Sequence, residues 1–128
     1  MQSYLLQDWV TVRATMLGGT NLPQAPEGWL DLGDATECTF FLQIAQVNGA
    51  GTPTIRYESS PTRDAALFRE HVSRTLTATG DLTPQIDRLT LYSTPATPLA
   101  RWVRWRLTSS DASLWDVTFK LTVMAYPR

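Results

Sequence analysis

The strongest constraint on the fold is a strict alternation of side chains near the carboxyl end of the chain. Across residues 114–126, apolar side chains occupy the odd positions, while polar ones such as Thr118 and Lys120 occupy most even positions. Successive side chains of a β-strand point to opposite faces, so this period of two predicts a half-buried strand. The side chains expected to fill the interior are Trp115, Val117, Phe119, Leu121, Val123 and Ala125.

The segment before it, residues 99–107, alternates in the same way, and the serine-rich residues 109–113 between the two segments are typical of a turn. Together they predict a β-hairpin. One register satisfies both faces of that hairpin, because it pairs apolar with apolar residues and places an arginine opposite an aspartate. Its cross-strand pairs would be Trp105 with Val117, Val103 with Phe119, Arg106 with Asp116, and Trp102 with Lys120.

Earlier parts of the chain carry shorter strand patterns. Alternating runs predict strands at 10–16, 54–59, 73–79 and 87–93. Residues 39–47 are apolar on both parities, as expected of a central strand that is covered on both faces. Asn48 and Gly49 are a strong turn signal and predict a second hairpin that joins this strand to 54–59. Residues 63–72 are interpreted as either a short helix or a loop.

These segments define an all-β protein. The chain of 128 residues suits one domain, 1–128, and its eighteen threonines and thirteen aromatic residues are typical of strands. No alternation of strands with long helices is visible, so a parallel α/β sheet is not expected. The sequence predicts an antiparallel β-sandwich or jelly roll of seven or eight strands with at most one short helix.

Charge and composition exclude several classes of partner. Eleven basic and twelve acidic residues give a net charge of -1, so there is no overall positive field to attract nucleic acid. No run of eighteen apolar residues and no signal-peptide pattern is present, so we expect neither a membrane span nor secretion. The single cysteine, Cys38, begins an apolar run and is expected to be a buried small hydrophobe.

Histidine and cysteine, which commonly act in catalysis or bind transition metals, are scarce in this sequence. His71 is the only histidine, so we predict no catalytic triad, and one histidine with one cysteine cannot make a zinc site. We expect no enzyme activity and no cofactor. Asp31, Asp34 and Glu37 would suit calcium, although turn formation explains these carboxylates better than a metal does.

The most distinctive string is Arg101 to Arg106, which alternates arginine with tryptophan. It has two interpretations. Trp102, Arg104 and Arg106 would form an exposed stripe for stacking and charge recognition, or the arginines would lie along the surface while the tryptophans pack, and we favour the second. The residues predicted for an interface or ligand site are Trp9, Trp29, Trp102, Arg104, Arg106 and Tyr126.

Two short motifs resemble a known family. The string Trp29-Leu30-Asp31-Leu32-Gly33 before the apolar strand, and the later Ala100-Arg101-Trp102-Val103-Arg104, are similar to the pattern of galactose-binding-like jelly rolls of the discoidin type. The resemblance spans residues 29–126 and implies a jelly-roll β-sandwich. The chain lacks the terminal disulfide of that family, and it has no obvious hydrophobic spike loop of the kind used for lipid binding. Its size and threonine content also resemble small β-sandwich proteins of tailed-phage particles.

Two functional hypotheses follow. The first is a non-enzymatic structural or decoration subunit of a larger assembly, such as a bacteriophage virion or phage-like particle. Its partners would be other protein subunits, with homo-oligomers expected, and it would lie at the particle surface after assembly in the cytoplasm. The second hypothesis is a carbohydrate-binding module in which Trp29, Trp102 or Tyr126 stacks on sugar rings.

Overall fold

The computed structural model describes residues 2–14, 20–77, 82–90, 98–109 and 114–126. Within these ranges the chain forms nine strands and two single turns of 3-10 helix, at Pro26–Gly28 and Ala65–Leu67. The strands are β1 (Gln2–Arg13), β2 (Thr20–Pro23), β3 (Leu30–Asp31), β4 (Glu37–Gly49), β5 (Thr54–Ser60), β6 (Arg69–Thr75), β7 (Gln85–Thr90), β8 (Trp102–Ser109) and β9 (Trp115–Tyr126).

The strands form two antiparallel sheets, as the sequence predicts. Sheet I has the order β1-β9-β4-β7. Sheet II has the order β2-β8-β5-β6, and the two-residue β3 pairs with the other end of β8. Along the chain, most consecutive strands alternate between the two sheets, so the polypeptide winds around the core as a jelly roll.

The core lies between the sheets. Sheet I contributes the odd-numbered residues of β9, from Val117 to Val123, which are fully buried, together with Phe40 and Leu42. Sheet II contributes Ile55, Tyr57, Val103 and Leu107, which are fully buried as well. Phe40 and Tyr57 stack across the two layers with ring centroids 4.2 Å apart. The predicted inward parity of β9 is therefore confirmed, and Cys38 is a buried residue of this core.

The predicted hairpin between residues 99–107 and 114–126 is wrong. β8 pairs with β2, β3 and β5 in sheet II, whereas β9 pairs with β1 and β4 in sheet I. Both strands bury their odd-numbered residues in the same core, but they do so from opposite sides. The alternation therefore identified the buried face of each strand correctly and could not identify its neighbours.

The second predicted hairpin is wrong for the same reason, since β4 belongs to sheet I and β5 to sheet II. β4 does lie in the middle of its sheet, between β9 and β7, as expected of residues 39–47. Its second face is not fully covered, because Ala45 is exposed and Phe41 is only half-buried. Its apolar residues on that face therefore form part of the surface.

The helix considered for residues 63–72 is reduced to one 3-10 turn, Ala65–Leu67, and residues 69–72 belong to β6. The side chain of Asp64 accepts a hydrogen bond from the Ala66 amide and so closes a turn. The backbone from Arg69 onward then pairs with β5. The outer ends of the strands predicted at 10–16, 73–79 and 87–93, and most of the turn at 109–113, lie outside the described residues.

Candidate functional site

The outer face of sheet II carries a buried cluster of charged residues. Glu58 on β5 is 4% exposed and accepts hydrogen bonds from two arginines of β8. Arg104 donates Nε to Oε1 of Glu58 at 2.9 Å, and Arg106 donates Nε to Oε2 at 2.9 Å. The single Glu58 carboxylate therefore partly neutralises two guanidinium groups. Because both arginines bind it, their side chains are held on the same face of the sheet.

Two aromatic rings cover this cluster. Phe68 lies with its ring centroid 4.1 Å from the Arg104 guanidinium carbon, and the Trp29 centroid is 5.4 Å from the same atom. The two rings meet edge to face at 4.8 Å. Arg104 is therefore enclosed by its own chain: it is 7% exposed, and its charge is held by Glu58 on one side and by π faces on the other.

The rim of the cluster contains Trp102 and two further arginines. The guanidinium carbon of Arg63 lies 5.3 Å from the Trp102 ring centroid, and that of Arg101 lies at 5.8 Å. Arg63 also donates to the backbone carbonyl of Pro26 at 2.9 Å. Arg101 forms a bidentate pair with Asp31, both contacts at 2.8 Å, and this hydrogen bond lowers the pKa of Asp31 below its usual range. The two motifs that carry the family resemblance therefore contact each other through Asp31 and Arg101.

The structure divides the predicted site residues between the two sheets. Four of the predicted site residues lie on the outer face of sheet II, where Arg104 is covered by Trp29 and Phe68: Trp29, Trp102, Arg104 and Arg106. Trp9 is 41% exposed and lies on β1 of sheet I, where a β-bulge places residues 8 and 9 opposite Lys120. Tyr126 pairs with Glu37 at the end of β9 and is half-buried. The contact predicted between Trp102 and Lys120 does not occur, because these residues belong to different sheets.

Sequence reasoning missed Glu58, Arg63 and Phe68, which complete the cluster. Glu58 sits at an even position of an alternating strand and looks like an ordinary solvated carboxylate. Its burial depends on the segment between β5 and β6, which returns over the sheet and places Phe68 against Arg104. No local sequence pattern predicts a contact of this kind. The sequence feature that came nearest to predicting the cluster is the pair Arg104 and Arg106 on β8, which has no acidic residue in the same strand.

His71, to which the sequence assigned no role, contacts a serine. Its Nε2 lies 2.6 Å from Oγ of Ser59, and the same Oγ accepts a hydrogen bond from the Ala100 amide at 3.0 Å. Burial lowers the pKa of His71, an effect that the charge of Glu58 partly opposes. Ser59 is 3% exposed, and both of its hydrogen bonds stabilise the packing of β5, β6 and the start of β8.

The calcium hypothesis is not supported by the geometry. Asp31 is paired with Arg101, and Glu37 is paired with Arg88 at 2.6 Å. Among the residues that the structure describes, no group of three or more histidine, cysteine, aspartate or glutamate side chains is arranged to hold a metal ion. Within the same residues, no helix is long and apolar enough to cross a membrane.

The outer face of sheet I differs from that of sheet II because apolar residues there are open to solvent. The strand registers align Leu5 of β1 with Thr122 of β9, Thr122 with Phe41 of β4, and Phe41 with Ile86 of β7. These four residues, the exposed row, cross all four strands on the face opposite the core. Leu5 is 54% exposed and Ile86 is 55% exposed.

A cleft opens at one end of the sandwich, where β1 ends and β9 begins. Its volume is about 250 Å³. It is lined by residues of β1, β4 and β9 and by two residues that flank these strands: Arg13, Ala14, Asn48, Gly49, Leu114, Trp115 and Asp116. None of these residues was predicted as part of a site, because they are separated in the sequence and meet only through the pairing of β4 and β1 with β9.

Comparison with known proteins adds only a resemblance of fold. No family model matches the sequence, and no curated protein matches it either. Among solved structures, PirA is 12% identical, with 92% of this chain and 93% of that chain covered and a TM-score of 0.46. TmCBM61 in complex with β-1,4-galactotriose is 13% identical (92% and 70% covered, TM-score 0.46). The Triatoma virus empty capsid is 8% identical (98% and 87% covered, TM-score 0.47). Likeness at this level does not indicate a function.

Proposed function

We propose that this protein is a non-enzymatic structural subunit of a larger protein assembly and that it contacts its neighbours through the outer face of sheet I. The observation that carries the proposal is the exposed row. Leu5 and Ile86 lie at opposite edges of the sheet, and each leaves more than half of its surface in water. Phe41 and Thr122 between them are half-buried, and apolar side chains left exposed across a sheet in this way favour a protein–protein contact.

The contrast between the two sheets supports this assignment. On sheet II, the chain itself covers the outer face with Trp29 and Phe68, so the buried charges there already have partners. On sheet I, Leu5 and Ile86 remain exposed and Phe41 is half-buried. A second chain that packed on this face would remove the exposed row from water and gain roughly 25 cal/mol for each Å² of apolar surface buried.

We propose no enzyme activity because the two side chains that resemble a catalytic pair, Ser59 and His71, are part of the packed fold. The hydroxyl of Ser59 lies beside His71, as a nucleophile and its base would. This hydroxyl is nevertheless enclosed and hydrogen-bonded to the Ala100 amide, so a substrate cannot approach it. The pair therefore stabilises the fold.

Sedimentation velocity and light scattering test the assembly role. The wild-type chain should form species larger than one copy, or should co-purify with its particle. The double substitution Leu5→Thr and Ile86→Thr should leave a folded monomer, because threonine keeps the strand propensity and removes most of the apolar surface. Leu67→Ser is a matched control, since Leu67 is 42% exposed but lies on the 3-10 turn outside sheet I. A wild-type chain that stays monomeric and is absent from particle fractions would refute the proposal.

Our proposal extends to the surface of a virion or phage-like particle, reached after assembly in the cytoplasm. The support is the combination of a small jelly roll, a fold common in capsid proteins, with a sheet face on which Leu5 and Ile86 are exposed. Antibody labelling of intact particles tests this location. Labelling of intact particles would support it, and labelling that appears only after the particles are disrupted would contradict a surface position.

The carbohydrate-binding alternative through Trp29 and Trp102 is less favoured by the geometry. A sugar stacks on an open indole face. The Arg63 guanidinium lies near both rings, at 6.0 Å from the Trp29 centroid and 5.3 Å from the Trp102 centroid. A sugar at either tryptophan would have to compete with this cation. Substitution of Arg63 by alanine should therefore strengthen glycan binding if the alternative is correct, and should leave glycan binding absent if it is not.

A further inference from the structure

We propose that the neighbour on the outer face of sheet I is a second copy of this chain, related to the first by a two-fold axis. The axis lies between the two facing sheets and runs along the strands, midway between β9 and β4. This inference rests on the proposed function and names the partner of the same surface. Sheets that pack face to face lie about 10 Å apart with their strands nearly aligned. In this arrangement β1 of each copy covers β7 of the other, and β9 covers β4.

The two edges of sheet I are poorly suited to pairing with a further strand. The pairing of β1 with β9 shifts register twice between Leu5 and Val10, and irregularities of this kind interrupt the row of hydrogen bonds that a new strand would need. At the other edge, Arg74 of β6 donates to the backbone carbonyl of Ile86 at 3.4 Å and to Oδ1 of Asp87 at 2.7 Å. The sheet is therefore expected to bind a partner on its face and not along its edges.

The exposed row is self-complementary under this symmetry. The axis keeps the row level with the same row of the second copy and exchanges its two ends. Leu5 then faces Ile86 of the second copy, so each exposed edge residue covers another. Phe41 faces Thr122 of the second copy, and a ring opposite a small side chain packs without a clash or a void. A two-fold axis along the row would instead place Phe41 against Phe41 and leave a gap between two threonines.

The polar residues beside the exposed row fit the same arrangement. The ammonium of Lys120 has no hydrogen bond or ion pair within the part of the chain that the structure describes, although Gln43 is its cross-strand neighbour. The Gln43 amide donates Nε2 to the carbonyl of Leu82 at 3.2 Å, so its oxygen remains an acceptor. The axis places Lys120 over Gln43 of the second copy, and the ammonium can donate to that oxygen. On the other side of the row, Arg88 faces Ser3, so no like charges oppose each other in these rows.

The face is large enough for a dimer. Four strands spaced about 4.8 Å apart, taken over about nine residues of length, cover about 600 Å² on each copy. Two copies would therefore bury about 1,200 Å² in total, which is the lower limit of a standard specific interface. An interface of this size predicts a dimer whose copies exchange when two preparations are mixed.

The test is crosslinking between single-cysteine substitutions at the two ends of the exposed row. Leu5→Cys and Ile86→Cys are prepared separately, mixed, and treated with a bismaleimide whose spacer matches the sheet separation of about 10 Å. The mixture should give a covalent dimer with one copy of each variant, identified by mass spectrometry. Each variant alone should stay uncrosslinked, because its two cysteines would lie three strand spacings apart, about 14 Å, in addition to the sheet separation. The native Cys38 is fully buried and should not react.

Leu67→Cys is the matched control, since Leu67 is 42% exposed but lies outside sheet I. It should form no covalent dimer with either variant. Ser3→Cys mixed with Arg88→Cys is a second pair at opposite edges of the sheet, and it keeps the exposed row intact. This mixture should crosslink in the same way even if the first pair weakens the dimer.

Three results would overturn the inference. Crosslinking of a single variant with itself would contradict an axis that runs along the strands. Assembly of the wild-type chain without crosslinking in either mixture would exclude a second copy on this face. A wild-type chain that is monomeric in solution but present in particle fractions would also exclude the dimer, and it would leave the proposed function in place. Only a chain that is monomeric and absent from particles refutes both.

Discussion

Trp105 and Phe119 meet edge to face between the two sheets, with ring centroids 5.2 Å apart and an interplanar angle of 89°. Trp105 comes from β8 in sheet II and is 6% exposed, whereas Phe119 comes from β9 in sheet I and is fully buried. This contact therefore joins the two layers near the middle of the sandwich. Edge-to-face aromatic pairs add stability beyond the area that they bury.

Phe119→Ala should lower the free energy of unfolding by about 3–5 kcal/mol, because it removes a buried ring and leaves a cavity that faces Trp105. Phe119→Leu should cost about 1.5 kcal/mol or less, since it keeps the site apolar and nearly filled. Urea denaturation followed by tryptophan fluorescence measures both values. Thr118→Ala, on the outer face of the same strand, is the surface control. An alanine variant at 119 as stable as this control would contradict the placement of β9.

Glu58→Ala should lower the free energy of unfolding by about 3–5 kcal/mol, because it leaves the buried Arg104 guanidinium without its counter-ion. Glu70→Ala is a matched control on the same sheet. Glu70 pairs with Arg56 at 2.5 Å, but both side chains are about one-third exposed, so its loss should cost less than about 1 kcal/mol. Thermal or chemical denaturation of the two variants gives the comparison. Equal costs would mean that the Glu58 cluster is solvated.

The stability of the protein should fall as the pH falls from about 7 to 5, in part through His71. Burial lowers the folded-state pKa of His71 below its ordinary value of 6.5. At a pH below 6.5, His71 therefore binds a proton more readily in the unfolded chain than in the folded one. The contribution of His71 to the free energy of unfolding is fully present above pH 6.5 and is lost as the pH falls below that value.

His71→Gln keeps a hydrogen-bonding partner for Ser59 and removes the titrating group. The melting temperature of this variant should consequently depend less on pH over the same interval. Parallel melting curves of the wild-type and variant chains at several pH values measure the difference. Identical slopes for the two proteins would show that His71 titrates in the folded state as it does in water.

Cys38 should resist thiol reagents in the folded protein. Burial raises the pKa of its thiol to about 12, so almost none of it is thiolate near neutral pH, and the side chain is fully buried. Labelling with iodoacetamide should be slow in buffer and should reach the rate of an ordinary cysteine in urea. Mass spectrometry of timed samples measures both rates. Rapid labelling without denaturant would indicate that β4 opens locally or that Cys38 is not buried.

The sequence by itself determined the buried faces of the longer strands, but it did not reveal the short strands β2 and β3. The alternation in residues 114–126 predicted the side chains of β9 that fill the core, and the apolar run at 39–47 predicted a strand in the middle of a sheet. These features follow from neighbours one or two residues apart, because the geometry of a strand sends successive side chains to opposite faces. The absence of long helical patterns likewise predicted a sandwich.

Only the tertiary structure decided which strands are neighbours and which surfaces are open. Trp105 and Phe119 have the same parity whether they share a sheet or face each other across the core, and the structure places them in opposite layers. The burial of Glu58 under Phe68 and the meeting of Arg13 with Asp116 at the cleft depend on contacts between residues far apart in the chain. Such contacts leave no local period in the sequence, because their energy comes from side chains that approach only after the two sheets have packed.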